Sequence, residues 1–142
     1  MIYTTASDKE TEDVGNEFAR KIDSLGKDRV FIALRGEMGV GKTAFTRGFA
    51  SYFGITNVKS PTYTIVNEYR GKRNIFHFDM YRIESEDDLY SIGFDEYVER
   101  DGIAIAEWSE NIVDYLPPYT VFVTISRTEN NENERKIDTG DL

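Results

Sequence analysis

Val14, Phe18, Ile22 and Leu25 recur at the three- and four-residue spacing of one helix face. Ser7-Asp8-Lys9-Glu10 precedes them in the S-x-x-E form of a capping box, and Gly26 follows them as a stop. The pattern then changes. Val30-Phe31-Ile32-Ala33-Leu34 is continuously apolar, as expected of a strand buried on both faces. It runs into Gly36, and helical spacing returns after Lys42 with Phe45, Phe49 and Phe53, ending at Gly54. That phenylalanine stripe reads as core.

Two strand-like runs follow, residues 63–69 and 74–79, with Arg70-Gly71-Lys72-Arg73 as the turn of a hairpin between them. A hairpin is antiparallel, so the sheet is expected to be mixed. Ser85-Glu86-Asp87-Asp88 predicts another helix start and Gly93 its stop. Ile103-Ala104-Ile105-Ala106 reads as a short buried strand, and Leu116-Pro117-Pro118 as a break. Val121 to Ile125 is a further strand, 129–134 a polar loop, and a weak last strand lies beyond it. The expectation is an α/β fold: one three-layer domain over residues 1–142, with a mixed central sheet that includes an antiparallel hairpin.

Composition narrows the chemistry. The chain has no cysteine and one histidine, which excludes disulfides, thiolate nucleophiles and Cys- or His-rich metal sites. Seventeen basic against 26 acidic residues give a formal charge of −9, so direct and strong binding to a phosphate backbone is not expected as the primary job. No apolar run approaches the roughly 20 residues of a membrane span, and the start Met1-Ile2-Tyr3-Thr4-Thr5 lacks a signal-peptide pattern. A cytoplasmic location is the expectation.

The sharpest signal is Gly36-Glu37-Met38-Gly39-Val40-Gly41-Lys42-Thr43, a full match to G-x-x-x-x-G-K-[ST] between a buried strand and an amphipathic helix. Glycines let the backbone turn consecutive N–H groups towards phosphates, and the following helix adds the partial charge of its N-terminus. Lys42 would neutralise the β- and γ-phosphates and the Thr43 hydroxyl would join a Mg²⁺ shell. The bare pattern arises by chance on the order of once in a few hundred chains of this length. The alternative, a glycine-rich turn with an incidental lysine, is far weaker.

Such a loop needs an acid near the metal. Glu107 ends the run Ile103–Ala106 in the form of a Walker B element, and Asp79 ends Ile75–Phe78. Glu107 is expected to hold Mg²⁺, directly or through water. Asp79 is expected to orient metal or attacking water, with a capping or solvent-facing carboxylate as the bland alternative for both. Thr62 in Lys59-Ser60-Pro61-Thr62 lies where a γ-phosphate sensor would run, or in a plain connection. His77 reads as a structural, hydrogen-bonded histidine, Arg82 as a surface salt-bridge residue with contact to phosphate or a partner as the alternative, and Trp108 as packing. Guanine-specific hydrolases carry an [NT]-K-x-D element; the nearest stretch, Arg135-Lys136-Ile137-Asp138, lacks the leading residue, which leaves adenine by elimination.

The loop, Ser60-Pro61-Thr62-Tyr63-Thr64, His77-Phe78-Asp79-Met80-Tyr81-Arg82 and Glu107-Trp108-Ser109-Glu110, in that order and spacing, resemble the TsaE family over nearly the whole chain. That family comprises small bacterial ATPases required for threonylcarbamoyladenosine in tRNA. The resemblance implies a P-loop NTPase-like fold with ATP and Mg²⁺ as cofactors. It implies metal-associated positions at Thr43 and Glu107, and a carboxylate important for hydrolysis at Asp79. Met38, Gly39, Val40, Gly41, Lys42 and Thr43 would wrap the phosphates, and Asp8 and Arg135 would contact the nucleotide outside the loop. It further implies TsaD and TsaB as partners, with TsaD performing the transfer, tRNA reached only indirectly, and hydrolysis resetting the complex. A small-molecule kinase using Asp79 as base is the main alternative. Kinases of that kind usually carry an arginine-rich lid, and only Arg100 intervenes between Arg82 and Arg127. A nucleotide-gated binding module with negligible turnover is a third reading.

Overall fold

The apolar run at 30–34 is the centre of a seven-stranded sheet in a computed structural model that describes residues 1–59 and 65–142. In chain order the elements are β1 (Ile2–Thr5), α1 (Asp8–Ser24), β2 (Arg29–Arg35), α2 (Lys42–Tyr52), β3 (Val66–Tyr69) and β4 (Ile75–Asp79). Then come α3 (Glu86–Ser91), α4 (Phe94–Glu99), β5 (Gly102–Glu107), a 3-10 segment (Ser109–Tyr115), β6 (Val121–Arg127) and β7 (Arg135–Asp138). The spatial order is β1-β7-β6-β2-β5-β4-β3. β6, β2, β5 and β4 are parallel, while β3, β7 and β1 join the two edges antiparallel. The sheet is mixed, and the hairpin between β3 and β4 is the antiparallel one expected around residues 70–73.

Side chains alternate across this sheet because the strand period is two. Val30, Ile32 and Leu34 of β2 and Ile103 and Ile105 of β5 point into one core, with Phe18, Ile22, Phe45 and Phe49 of α1 and α2. Phe31, Phe76, Phe78, Ala104 and Ala106 point into another, with Leu89 and Phe94 of α3 and α4. Three layers result. Each fully buried phenylalanine contributes about 1.5–3 kcal/mol relative to exposure, so Phe45, Phe49 and Phe53, all at or below 1% exposure, anchor α2 firmly.

Half of the capping box forms: Ser7 caps α1 and its hydroxyl accepts from the Glu10 N–H at 3.2 Å, while the Glu10 carboxylate accepts from Ala6 N–H at 3.3 Å, one residue before the cap. Ser85 caps α3 in the same way through Asp88 N–H. α1 and α2 then pack backbone to backbone. A Cβ on Gly48 would lie 1.9 Å from the Glu12 carbonyl oxygen, and one on Gly15 would lie 2.2 Å from that of Phe45.

Three features depart from the reading. Leu25 is the C-cap of α1 and 45% exposed, so the buried stripe ends at Ile22. Gly93 does stop α3, but α4 starts at the next residue, using Gly93 as its own N-cap. The N-terminal Ile2–Thr5 segment is an edge strand paired with β7, a long-range partner that its short polar sequence does not announce. Among the described residues no helix is long and apolar enough to cross a membrane.

Candidate nucleotide site

Four parallel strands end together, and open α/β sheets bind ligands outside such carboxyl ends. Here those ends carry Gly36 just beyond β2, Asp79 on β4, Glu107 on β5 and Arg127 on β6. Asp79 and Glu107 are register neighbours, and Leu34 is the β2 neighbour of Glu107. Because Ile75 and Ile105 point into the α1/α2 core, alternation places His77, Asp79 and Glu107 on that same side of the sheet. α2, which begins with Lys42-Thr43, lies there too.

Residues 36–41 make the turn from β2 into α2, closed by a hydrogen bond from Val40 N–H to Glu37 O at 3.3 Å. Gly41 caps α2 at φ +113°, a conformation that side-chain-bearing residues rarely adopt. Met38 and Gly39 are exposed, whereas Val40 is buried against the core. Lys42 is 94% withdrawn from solvent by residue, at 6% exposure. Its ammonium donates to Gly36 O at 2.7 Å and lies 4.4 Å from the centre of the Trp108 ring. Among the described residues no carboxylate pairs with it. A buried cation supported only by a carbonyl and an aromatic face fits an incoming phosphate oxyanion. Thr43, half-buried, is the second residue of the helix.

The two acids differ in setting. Glu107 is 8% exposed and shares a 2.6 Å hydrogen bond with Nε2 of the fully buried His77. The histidine is structural, as expected, and its partner is the carboxylate proposed for the metal. Its Nδ1 is buried without a hydrogen-bond partner among the described residues. Asp79 is half-buried and its Oδ1 accepts from Tyr81 N–H at 3.0 Å, fixing the turn that follows β4. Asn111 holds that turn from the 3-10 segment by donating to Met80 O at 2.8 Å and Tyr81 O at 3.2 Å. Among the described residues no three His, Cys, Asp or Glu side chains converge as a self-contained metal centre. Glu107 and Thr43 fit Mg²⁺ shared with phosphate oxygens, which is how that ion is usually held.

Trp108 packs against the second core, as expected, and also touches the phosphate-loop lysine. Its backbone sits at φ +58°, the one such non-glycine value among the described residues, and strain of this kind gathers at functional positions. The ring stands between Lys42 and Tyr81, whose ring centre is 5.2 Å away in an edge-on contact. Beyond it lies an open groove of about 630 Å³ lined by Tyr81, Arg82, Ile83, Glu84, Trp108 and Asn111. Arg82 lies in this groove wall and makes no salt bridge among the described residues, unlike the expected surface pair.

Arg135 is the first residue of β7 rather than part of the loop, and its Nε donates to Val40 O at 2.9 Å. It thereby reaches the phosphate loop. Asp8 opens α1, is exposed, and makes no hydrogen bond to that loop among the described residues; Thr11 in the same helix does lie near it, its Cγ2 3.8 Å from where a Cβ on Gly41 would stand. Thr62 and the rest of 60–64 lie outside the described residues. Sequence reading passed over Arg127 and Asn111. The alternation Val121, Val123, Ile125, Arg127 marks the face of the first; nothing local marks the second.

A model of the family "Threonylcarbamoyl adenosine biosynthesis protein TsaE" matches residues 5–137. The chain is similar to the tRNA threonylcarbamoyladenosine biosynthesis protein TsaE of Bacillus subtilis (strain 168), 36% identical over 134 residues, covering 93% of this chain and 81% of that one. The protein of that name from Rickettsia prowazekii (strain Madrid E) is 37% identical over 134 residues, covering 92% and 90%. Among solved structures, the crystal structure of Bacillus subtilis YdiB superposes with a TM-score of 0.78 at 30% identity, covering 99% of this chain and 86% of that chain. The mixed α/β architecture is P-loop NTPase-like.

Proposed function

The chain belongs to the TsaE family of threonylcarbamoyl adenosine biosynthesis proteins, and from that premise we propose that it is a Mg²⁺-dependent ATPase serving tRNA threonylcarbamoyladenosine formation. The single observation that most supports this is Lys42, a buried ammonium without a carboxylate partner among the described residues, at the start of α2 and beside the strand end that carries Glu107.

In this reading the loop from Met38 to Thr43 binds the phosphates through backbone N–H groups, and Lys42 leaves Gly36 O and the Trp108 face to meet the β- and γ-oxygens. Thr43 and Glu107 hold Mg²⁺, which when bound spreads the charge of the terminal phosphates. His77 keeps the Glu107 carboxylate aimed from behind. Asp79, held by Tyr81 N–H, orients a water molecule or the metal shell. Attack by water on the γ-phosphorus breaks its bond to the bridging oxygen and yields ADP and phosphate. Arg135 steadies the loop at Val40, and Asp8 reaches the nucleotide from the start of α1.

Partners complete the picture. TsaB and TsaD are the proposed companions, with TsaD performing the transfer and hydrolysis here resetting the assembly. A formal charge of −9 suits a subunit that meets tRNA only through others. The test is phosphate release from ATP and Mg²⁺ by the chain with TsaB and TsaD, alongside mass spectrometry of tRNA nucleosides from depleted cells. Unchanged threonylcarbamoyladenosine in those cells overturns the pathway reading; a phosphorylated metabolite in place of free phosphate overturns the ATPase reading.

A further inference from the structure

Arg127 and Arg135 stand directly opposite one another in the antiparallel pairing of β6 and β7. The next pair inward on the same face, Ile125 and Ile137, is buried in the α1/α2 core. By alternation both arginines leave the sheet on that face, at the end where β2 runs into the phosphate loop. Like charges placed directly opposite destabilise an antiparallel pair. Something must compensate them.

Their present partners do so unequally. Among the described residues Arg135 donates only to backbone carbonyls: Val40 at 2.9 Å, Glu132 at 2.7 Å and Glu134 at 3.0 Å. Arg127 donates through Nη1 to the Glu37 carboxylate at 3.0 Å and through Nη2 to Gly39 O at 3.4 Å. One carboxylate thus faces the two guanidinium groups; it pairs with Arg127 alone, and it belongs to the phosphate loop itself. The Glu37 side chain is 83% exposed and that of Arg127 is 45% exposed, so their ion pair is solvent-screened and easily exchanged.

We infer that Arg127 is a nucleotide-binding residue of this chain: Glu37 holds its guanidinium at the rim of the phosphate loop, and a nucleotide polyphosphate takes the place of the carboxylate. This deepens the ATP reading of the site and rests on it. The chemistry favours the exchange, because a polyphosphate carries several negative charges and presents paired oxygens that match the guanidinium fork. It also gives Glu37 a purpose that a loop built for anions otherwise lacks, since a carboxylate there opposes phosphate unless a cation covers it. A cation from β6 adds to Lys42 on the side of the loop away from Glu107.

Calorimetric titration of ATP and Mg²⁺ into the full chain and its variants tests this. Arg127→Ala is expected to weaken binding about tenfold, and Arg127→Lys to weaken it less, keeping the charge without the fork. Glu37→Gln is expected to bind as tightly as the parent chain or tighter, because it removes the competing carboxylate. Parental affinity in Arg127→Ala overturns the inference. So does Glu37→Gln weakening binding as much as Arg127→Ala, which would mean that the pair only braces the loop. If the parent chain binds no ATP, the underlying reading falls with it, a failure visible before any variant is made. Melting curves check that these exposed substitutions leave the fold intact.

Discussion

His77 Nε2 and Glu107 Oε2 lie 2.6 Å apart across β4 and β5, with the imidazole wholly buried and the carboxylate facing the strand-end crevice. The pair links the core beneath α1 and α2 to the position proposed for the metal. Removing one member leaves the other without its partner in a poorly solvated place.

His77→Ala is therefore expected to lower stability by about 1–3 kcal/mol and Mg²⁺ affinity by about 10–100-fold. Denaturant melts and a Mg²⁺ titration of ATP hydrolysis measure the two. A loss of stability with unchanged Mg²⁺ dependence would confine His77 to the core.

Lys42→Ala is expected to abolish nucleotide binding, since no other buried cation among the described residues stands at the loop. Lys42→Arg should also weaken binding, because a planar guanidinium fork presents its charge and donors differently from the compact ammonium that now reaches Gly36 O. Equal ATP affinity in the alanine variant, measured by calorimetry, refutes the phosphate role.

Trp108 is the one tryptophan of the chain, so its fluorescence reports this site alone. Moving the Lys42 ammonium from its 4.4 Å position over the ring onto a phosphate removes a cation from the indole face. Emission should shift on adding ATP with Mg²⁺ and stay constant in Lys42→Ala. A spectrum unmoved at saturating nucleotide would show that the contact persists.

Gly48→Ala is expected to cost about 3 kcal/mol. The added carbon would sit 1.9 Å from Glu12 O, so α1 and α2 must part. A denaturant melt superimposable on that of the parent chain would mean that the two helices slide apart freely.

Legibility followed the range of the interactions. Helix starts at Ser7 and Ser85 were readable because a hydroxyl and an N–H three residues on satisfy each other locally. The phosphate loop was readable for a similar reason: its glycines, lysine and threonine act within one turn of chain. Asp79 and Glu107 were recognisable as strand-end acids, but their being register neighbours on one face depends on β4 lying beside β5.

The sequence by itself determined most of the strands and helices, the phosphate loop and the family, because each is written in local spacing that backbone geometry converts directly into shape. Only the tertiary structure decided that His77 grips Glu107, that Trp108 covers Lys42, and that Arg127 and Arg135 meet at the loop. Those contacts join residues from 8 to 95 positions apart, through strand order and register. Alternation along a strand tells which face a side chain takes, but not which strand lies next to it, and it is the neighbour that supplies the chemistry.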